Sequence, residues 1–307
     1  MKVAPALAAG NSIIIKASEI NPLSTLLVAS LASEAGIPDG AINCLVGGPE
    51  VGNALSSHMK IRKISFTGSI ATGRKVQVAA AQSNLKSVTM ELGGKSPIVV
   101  FPDADMQKAL SGALQFLAIN GQGCAIGTRL YLHEDIADGF VQQLVSIAKG
   151  AAGKLGAEPM AADTRSCPLF HQGQKKIVMD YIESGKKEAT LLTGGNALGD
   201  KGCYIEPTIF IDPKPDAKVL REEIFGPVLT IVKFKTEEEI LKEVNYTEYG
   251  LSSYLWTRDV GRALRFSRKI EAGGVIVNGA GNMAPQYPFG GWKRKFSFDF
   301  VPGAQIS

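Results

Sequence analysis

Short β-branched runs alternate with amphipathic stretches along the N-terminal third of the chain, and this alternation restricts the fold more than any other feature. Residues 12–16, 41–46 and 63–67 predict strands, and residues 23–35, 51–58 and 71–81 predict helices. Each strand ends in turn chemistry: Ala17-Ser18-Glu19, then Gly47-Gly48-Pro49, then Gly68-Ser69. Strands separated by helices cannot close as hairpins, so a parallel sheet with covering helices is expected. Ligands bind such sheets at the carboxyl ends of the strands.

The alternation continues. Residues 87–90 and 97–101 read as strands and 106–117 as a helix; 136–149, 237–244 and 260–270 are helical; 204–211 and 228–234 are strands. In residues 294–307, Phe296, Phe298 and Phe300 alternate with polar residues, a pattern that permits a short strand without requiring one. The fold class is therefore α/β, and 307 residues fit two domains better than one, because a single core rarely grows beyond about 250–300 residues.

Composition excludes several classes of partner. The net charge of +4 comes from 33 basic and 29 acidic residues spread along the chain, without a block of like charge for a nucleic acid. No apolar run reaches the roughly 18 residues of a membrane span. The run after Lys2 is too short, and too broken by Pro5 and Gly10, to be a secretory signal. Cys44, Cys124, Cys167 and Cys203 have neither disulfide-framework nor zinc spacing, which points to a reducing, cytoplasmic location. His58, His133 and His171 lack acidic or cysteine partners at ligand spacing, so no metal site is expected.

Chemistry can sit at a few places. Cys124 lies in Asn120-Gly121-Gln122-Gly123-Cys124-Ala125, where glycines let backbone amides surround a sulfur, although cysteine statistics alone favour a small buried hydrophobe. Glu91, in Met90-Glu91-Leu92-Gly93-Gly94-Lys95, ends an apolar strand and can act as a general base or face solvent as an ordinary charge. Lys16 and Glu19 follow the first strand and can reach one sugar-sized ligand, or form a solvated helix-entry pair. Gly68-Ser69 precedes a helix and offers an anion site, with Gly73 framing a turn unlike the usual dinucleotide fingerprint; a plain strand-to-helix turn explains it as well. In Glu223-Ile224-Phe225-Gly226-Pro227 a carboxylate and a ring precede a strand, where they can hold a ribose and a flat ring or pack into a core.

In order and spacing these segments together resemble the aldehyde dehydrogenase superfamily over nearly the whole chain. The run from Lys2 to Asn11, Phe66-Thr67-Gly68-Ser69, Glu91-Leu92-Gly93-Gly94-Lys95-Ser96-Pro97 and Gly121-Gln122-Gly123-Cys124 carry the resemblance. Arg129, the Glu223 segment and Pro288-Phe289-Gly290-Gly291-Trp292-Lys293 extend it. It implies an incomplete Rossmann-type nucleotide-binding domain over residues 1–93, an α/β catalytic domain over 94–293 and a divergent tail over 294–307. It also implies oxidation of an aldehyde to an acid with NAD, or alternatively NADP. Cys124 would be the nucleophile of a thiohemiacetal and then a thioester, and Glu91 the base. Cofactor contacts would fall on Lys16, Glu19, Gly48, Thr67, Gly68, Ser69, Gly73, Leu92, Glu223 and Phe225. Family members are homo-oligomers.

Departures from the family pattern accompany the likeness. The opening strand, part of an oligomerisation hairpin and a Trp-Asn pair that precede the Lys2 run in the family are absent, and residues after Lys293 share nothing with the family tail. We expect a chain cut short at both ends, with a catalytically weak or silent nucleotide-binding or interaction module as the rival reading. An unrelated α/β hydrolase using Cys124 ranks last, for want of a suitably placed histidine. Near the nucleophile Asn120 abuts Gly121, where the family has one intervening residue; either the loop is one residue short or Ile119 replaces that asparagine.

Overall fold

The computed structural model describes residues 2–153, 155–156, 160–162, 164, 167–199, 202–280 and 287–293. The expectation for 294–307 lies outside them. They form an α/β fold in two compact units, one running to Leu92 and the other beginning at Gly93.

In the first unit, helix α1 (Val3–Ala8) leads into β1 (Ile13–Ala17), α2 (Leu23–Glu34), β2 (Ile42–Val46), α3 (Pro49–Ser57), β3 (Lys63–Thr67), α4 (Ile70–Gln82) and β4 (Ser87–Glu91). The elements fall where the alternation places them, apart from α1, whose short apolar run reads from sequence as an approach to a strand. Pairing is parallel, but it divides: β1 pairs with β2 and β3 with β4, and no described strand joins the two pairs into the single sheet expected. The core of this unit is correspondingly small. Val76, Met90 and Leu92 form its buried cluster, with Ile64, Phe66, Ile70 and Val88 against it. Helix α2 is apolar all round yet buries no residue, and Leu23, Leu27, Val28 and Leu31 are more than half exposed.

The second unit is built on seven strands. Along the chain these are β5 (Ser96–Val100), β6 (Gly127–His133), β7 (Thr190–Thr193), β10 (Thr208–Ile211), β11 (Val228–Phe234), β12 (Ser252–Trp256) and β13 (Gly274–Val277), while β8 (Ala197–Leu198) and β9 (Tyr204–Ile205) pair separately. Their order in the sheet is β13-β12-β5-β6-β11-β10-β7, parallel throughout except for β7, which runs against β10. A parallel sheet is covered on both faces, so its central strands are continuous apolar runs. Successive side chains of β6 show this: Leu130 and Leu132 join the cluster under α5 (Met106–Ala113) and α6 (Glu134–Ala152), whereas Tyr131 joins the opposite cluster with Ile240 and Phe266 of α9 (Glu237–Asn245) and α10 (Val260–Lys269).

Two expectations need correction here. Residues 204–211 read as one strand, but Pro207 has no N–H to give a ladder, so β9 ends at Ile205 and β10 begins at Thr208. Residues 106–117 read as one helix, but α5 stops at Ala113 and a 3-10 segment, Leu114–Gly121, follows with non-helical backbone at Ala118, Ile119 and Asn120. The kink delivers the chain to Cys124. Strands β6, β7, β12 and β13 and helices α7 (Gln172–Glu188) and α8 (Lys218–Arg221) are further elements that the pattern reading did not assign. Among the described residues no helix is long and apolar enough to cross a membrane.

Gly112 of α5 packs where any side chain would overlap the buried Trp256 indole. Gly112→Ala should therefore destabilise the protein by about 1–3 kcal/mol through overpacking, outweighing the roughly 1 kcal/mol that alanine brings to a helix; urea unfolding of both proteins measures the difference.

Candidate active site

At the carboxyl ends of β1 and β2 the first unit gathers three of the expected cofactor residues. Lys16 Nζ donates to the Ala17 carbonyl at 3.1 Å. A Cβ on Gly48 would stand 3.5 Å from Glu19 Oε1, and one on Gly52 would stand 3.9 Å from Lys16 Cε. The bare backbone that opens α3 thus borders both the carboxylate and the ammonium stem. The Glu19 carboxylate offers an acceptor beside bare backbone.

The second strand pair presents the turn from β3 into α4. Ser69 caps the helix: its Oγ accepts from the Thr72 amide at 3.3 Å. Thr67 Oγ1 accepts from Lys2 Nζ at 2.8 Å, which brings a cation to this turn. The Gly68 amide donates to the Glu91 carbonyl at 3.0 Å, and Thr67 faces Glu91 in the strand register. Glu91 is buried, so it is not the solvent-facing strand-end charge of its bland reading. Gly73 lies within α4 against Leu92, where a Cβ would come 2.7 Å from Leu92 Cδ2; its smallness serves helix packing.

In the second unit the Cys124 loop is held from several sides. The Ile126 amide donates to the Gly123 carbonyl at 3.2 Å, making a turn with Cys124 and Ala125 at its centre. Gly94 lies so close to the Cys124 carbonyl that any side chain there would overlap it. Gln122 acts as a clamp: its Nε2 donates to the Pro168 carbonyl at 3.0 Å and its Oε1 accepts from the Phe170 amide at 2.9 Å. Ile119, Asn120 and Gly121 all have positive φ, +43°, +56° and +71°. Asn120 is buried, and its Nδ2 has no hydrogen-bond partner among the described residues. Such strain is unusual for a β-branched residue and clusters at functional sites.

Glu223 lies over the Gly93-Gly94 backbone. Its Oε1 accepts from the Gly94 amide at 2.8 Å, and a side chain on Gly93 would overlap the carboxylate. Phe225 follows at φ +54°, held by Gln174, whose Nε2 donates to the Ile224 and Phe225 carbonyls at 3.0 Å each. Gly94, Gly121, Gly123, Glu223 and Phe225 border one small cleft of this unit.

Next in the chain to Gly94 is Lys95, and it is tied to Arg129; both stand in segments that carry the family resemblance, although the sequence pattern assigns no role to either. Arg129 is buried and its Nε donates to the Lys95 carbonyl at 2.8 Å, while its terminal nitrogens reach Tyr131 Oη and the Val244 carbonyl, both at 3.2 Å. Lys95 is buried as well. Burial, and then the neighbouring Arg129 charge, bring its pKa from 10.5 down to about 7, against the opposing pull of Glu223 and Glu222. The histidines do structural work: Nδ1 of His133 and of His171 accept from the Asp135 and Gln174 amides at the starts of α6 and α7. Among the described residues no cluster suits a metal ion, and the four cysteines are free.

Comparison with known proteins places the chain in a family. The sequence matches the aldehyde dehydrogenase family over residues 1–296, and the chain belongs to that family. It is 45% identical over 296 residues to an aldehyde dehydrogenase of Agaricus bisporus, covering 95% of this chain and 59% of that protein. It is 44% identical to aldehyde dehydrogenase 1A1 of Gallus gallus, covering 95% and 57% respectively. Among solved structures it resembles gamma-glutamyl-gamma-aminobutyraldehyde dehydrogenase from Burkholderia cenocepacia, with a TM-score of 0.92 and 41% identity over 96% of this chain and 61% of that one. PnpE in complex with nicotinamide adenine dinucleotide gives 0.89 and 41%, with the same coverage. The chain thus spans about three fifths of the length of these relatives.

Lys95 and Ile119 each bear on stability. An amine whose native pKa lies below its unfolded value is held charged by the unfolded chain over a range where the native state has lost the proton. The native state therefore gains stability as pH rises from about 7 towards 10.5, and below 7 the full burial penalty applies. Urea midpoints measured across that range should climb for the unsubstituted protein relative to Lys95→Met, in which this contribution is absent. Ile119 is more than half exposed and left-handed, a conformation costing roughly 1–2 kcal/mol that asparagine tolerates better. Ile119→Asn should accordingly stabilise the fold by up to about 1 kcal/mol, seen as a melting temperature a few degrees higher.

Proposed function

We propose that the chain carries the nucleotide-binding and catalytic parts of an aldehyde dehydrogenase that uses NAD and reacts through Cys124. The observation that carries this reading is the Cys124 turn itself, a half-buried cysteine after Gly123 whose carbonyl packs on the bare Gly94 backbone. Residues 1–93 would bind the dinucleotide and residues 94–293 would perform the chemistry.

The residues present fit the cofactor. Glu19 and Lys16 around Gly48 suit an adenosine ribose: a carboxylate accepts from two hydroxyls there and repels an added phosphate, which favours NAD over NADP. The Ser69-capped start of α4 suits a pyrophosphate. Glu223 and Phe225, beside Gly94, suit the nicotinamide ribose. When bound, the dinucleotide supplies the hydride acceptor.

In this reading the Cys124 thiolate attacks the aldehyde carbon, and the Cys124 amide donates to the resulting oxyanion. After oxidation Cys124 is held as a thioester. Glu91, a buried carboxylate at the end of β4, takes a proton from the water that hydrolyses it. The substrate is then an aldehyde and the product its carboxylic acid. Four free thiols support a cytoplasmic location, where reductants keep cysteines unpaired.

The test is to incubate the protein with NAD and a panel of aldehydes and follow reduced cofactor, alongside NAD binding by quenching of intrinsic fluorescence. Turnover is expected, falling by about a thousandfold or more in Cys124→Ala while NAD binding is kept. Equal turnover by Cys124→Ala overturns the assignment, and binding without turnover in the unsubstituted chain favours a silent nucleotide-binding module.

A further inference from the structure

Tyr254 lies on β12, far in sequence from the Cys124 turn, and it is almost wholly buried. Its hydroxyl donates to the Ala125 carbonyl at 2.8 Å. The ring passes Gly127, where a Cβ would stand 3.4 Å from Tyr254 Cδ2, so the missing side chain at the start of β6 lets the phenol reach the turn. The hydroxyl thus ties the sheet to the residue after the candidate nucleophile.

We propose that Tyr254 is a positioning residue for Cys124: by holding the Ala125 carbonyl it fixes the turn that carries the sulfur. The proposal rests on the reading of Cys124 as nucleophile and adds to it. The carbonyl belongs to the peptide whose nitrogen, on Ile126, closes the turn onto Gly123. If that peptide rotates, the turn bond and the phenol bond are lost together. A neutral phenol is required for donation. Burial pushes the Tyr254 pKa up to about 12, with neighbouring Ser252 opposing the shift and Cys124 adding to it, so the donor persists across the neutral range.

The alkylation rate of each cysteine, measured with limiting iodoacetamide across pH by peptide mass spectrometry, tests this without cofactor or substrate. In Tyr254→Phe, whose ring still fills its site, Cys124 should react about tenfold more slowly near neutral pH. Cys44 labelling should stay unchanged. A variant that loses melting temperature but keeps the rate of Cys124 overturns the proposal, since a purely structural tyrosine would behave that way. If Tyr254→Phe does not fold, Tyr254→Leu decides: it too lacks the hydroxyl but needs less room, and slower Cys124 alkylation is expected, with an unchanged rate counting against. Should Cys124 of the unsubstituted protein react no faster than Cys44, Cys167 and Cys203, the nucleophile reading fails, and the proposal with it.

Discussion

The second unit's candidate site depends on one close approach of bare backbone. Gly93 and Gly94 have no side chains, and into that space come the Glu223 carboxylate from one side and the Cys124 carbonyl from the other. A methyl group at either position would overlap one of them. The Gly94 amide then donates to Glu223, so the same dipeptide supplies both the room and the bond. Arg129 anchors the adjoining residue, donating to the Lys95 carbonyl from β6, one strand over. The glycines bring the two loops within contact distance, and the buried guanidinium keeps the start of β5 from drifting away.

Lys95 shows the cost of that arrangement. Its backbone is needed where Arg129 can reach it, and its side chain is therefore buried next to a like charge. Isolated ammonium groups are rarely buried, because desolvation disfavours the charged form. Here the carboxylates of Glu222 and Glu223 oppose the shift only in part, and the amine is left near neutrality. Local charge has been arranged around backbone geometry, and the side chain adapts through a pKa lowered to about 7.

Much of the first unit was legible in the sequence, because its elements are short and local periodicity marks them. The order β-α-β-α-β and the residues at the strand ends, Lys16, Glu19, Thr67, Gly68 and Ser69, needed only the pattern and the turns. The division into two strand pairs was not legible, since pairing is a long-range property that a strand does not encode by itself. In the second unit Cys124 and Glu223 were marked by flanking glycines and by motif order. The groups that hold them were not. Tyr254 sits within a fully buried strand, where a tyrosine reads as core, and its partner Ala125 is 129 residues away. Gln122 reads as one polar residue in a glycine-rich loop until the Pro168 to Phe170 segment comes alongside it.

Strain and fixation in the Cys124 loop belong together. Left-handed backbone at Ile119 and Asn120, together with an Asn120 amide that has no partner among the described residues, stores energy just before the glycine that turns the chain towards Cys124. A loop with only local contacts would relax by rotating those residues back. It is prevented from doing so by partners on separate elements: the Pro168 to Phe170 backbone on Gln122, Gly94 against the Cys124 carbonyl, and Tyr254 on Ala125. These contacts flank the sulfur in sequence on both sides, and none of them uses the thiol. The peptide groups around the side chain are thus held by the rest of the unit, which is how a turn of small residues keeps a fixed shape without a helix or strand of its own.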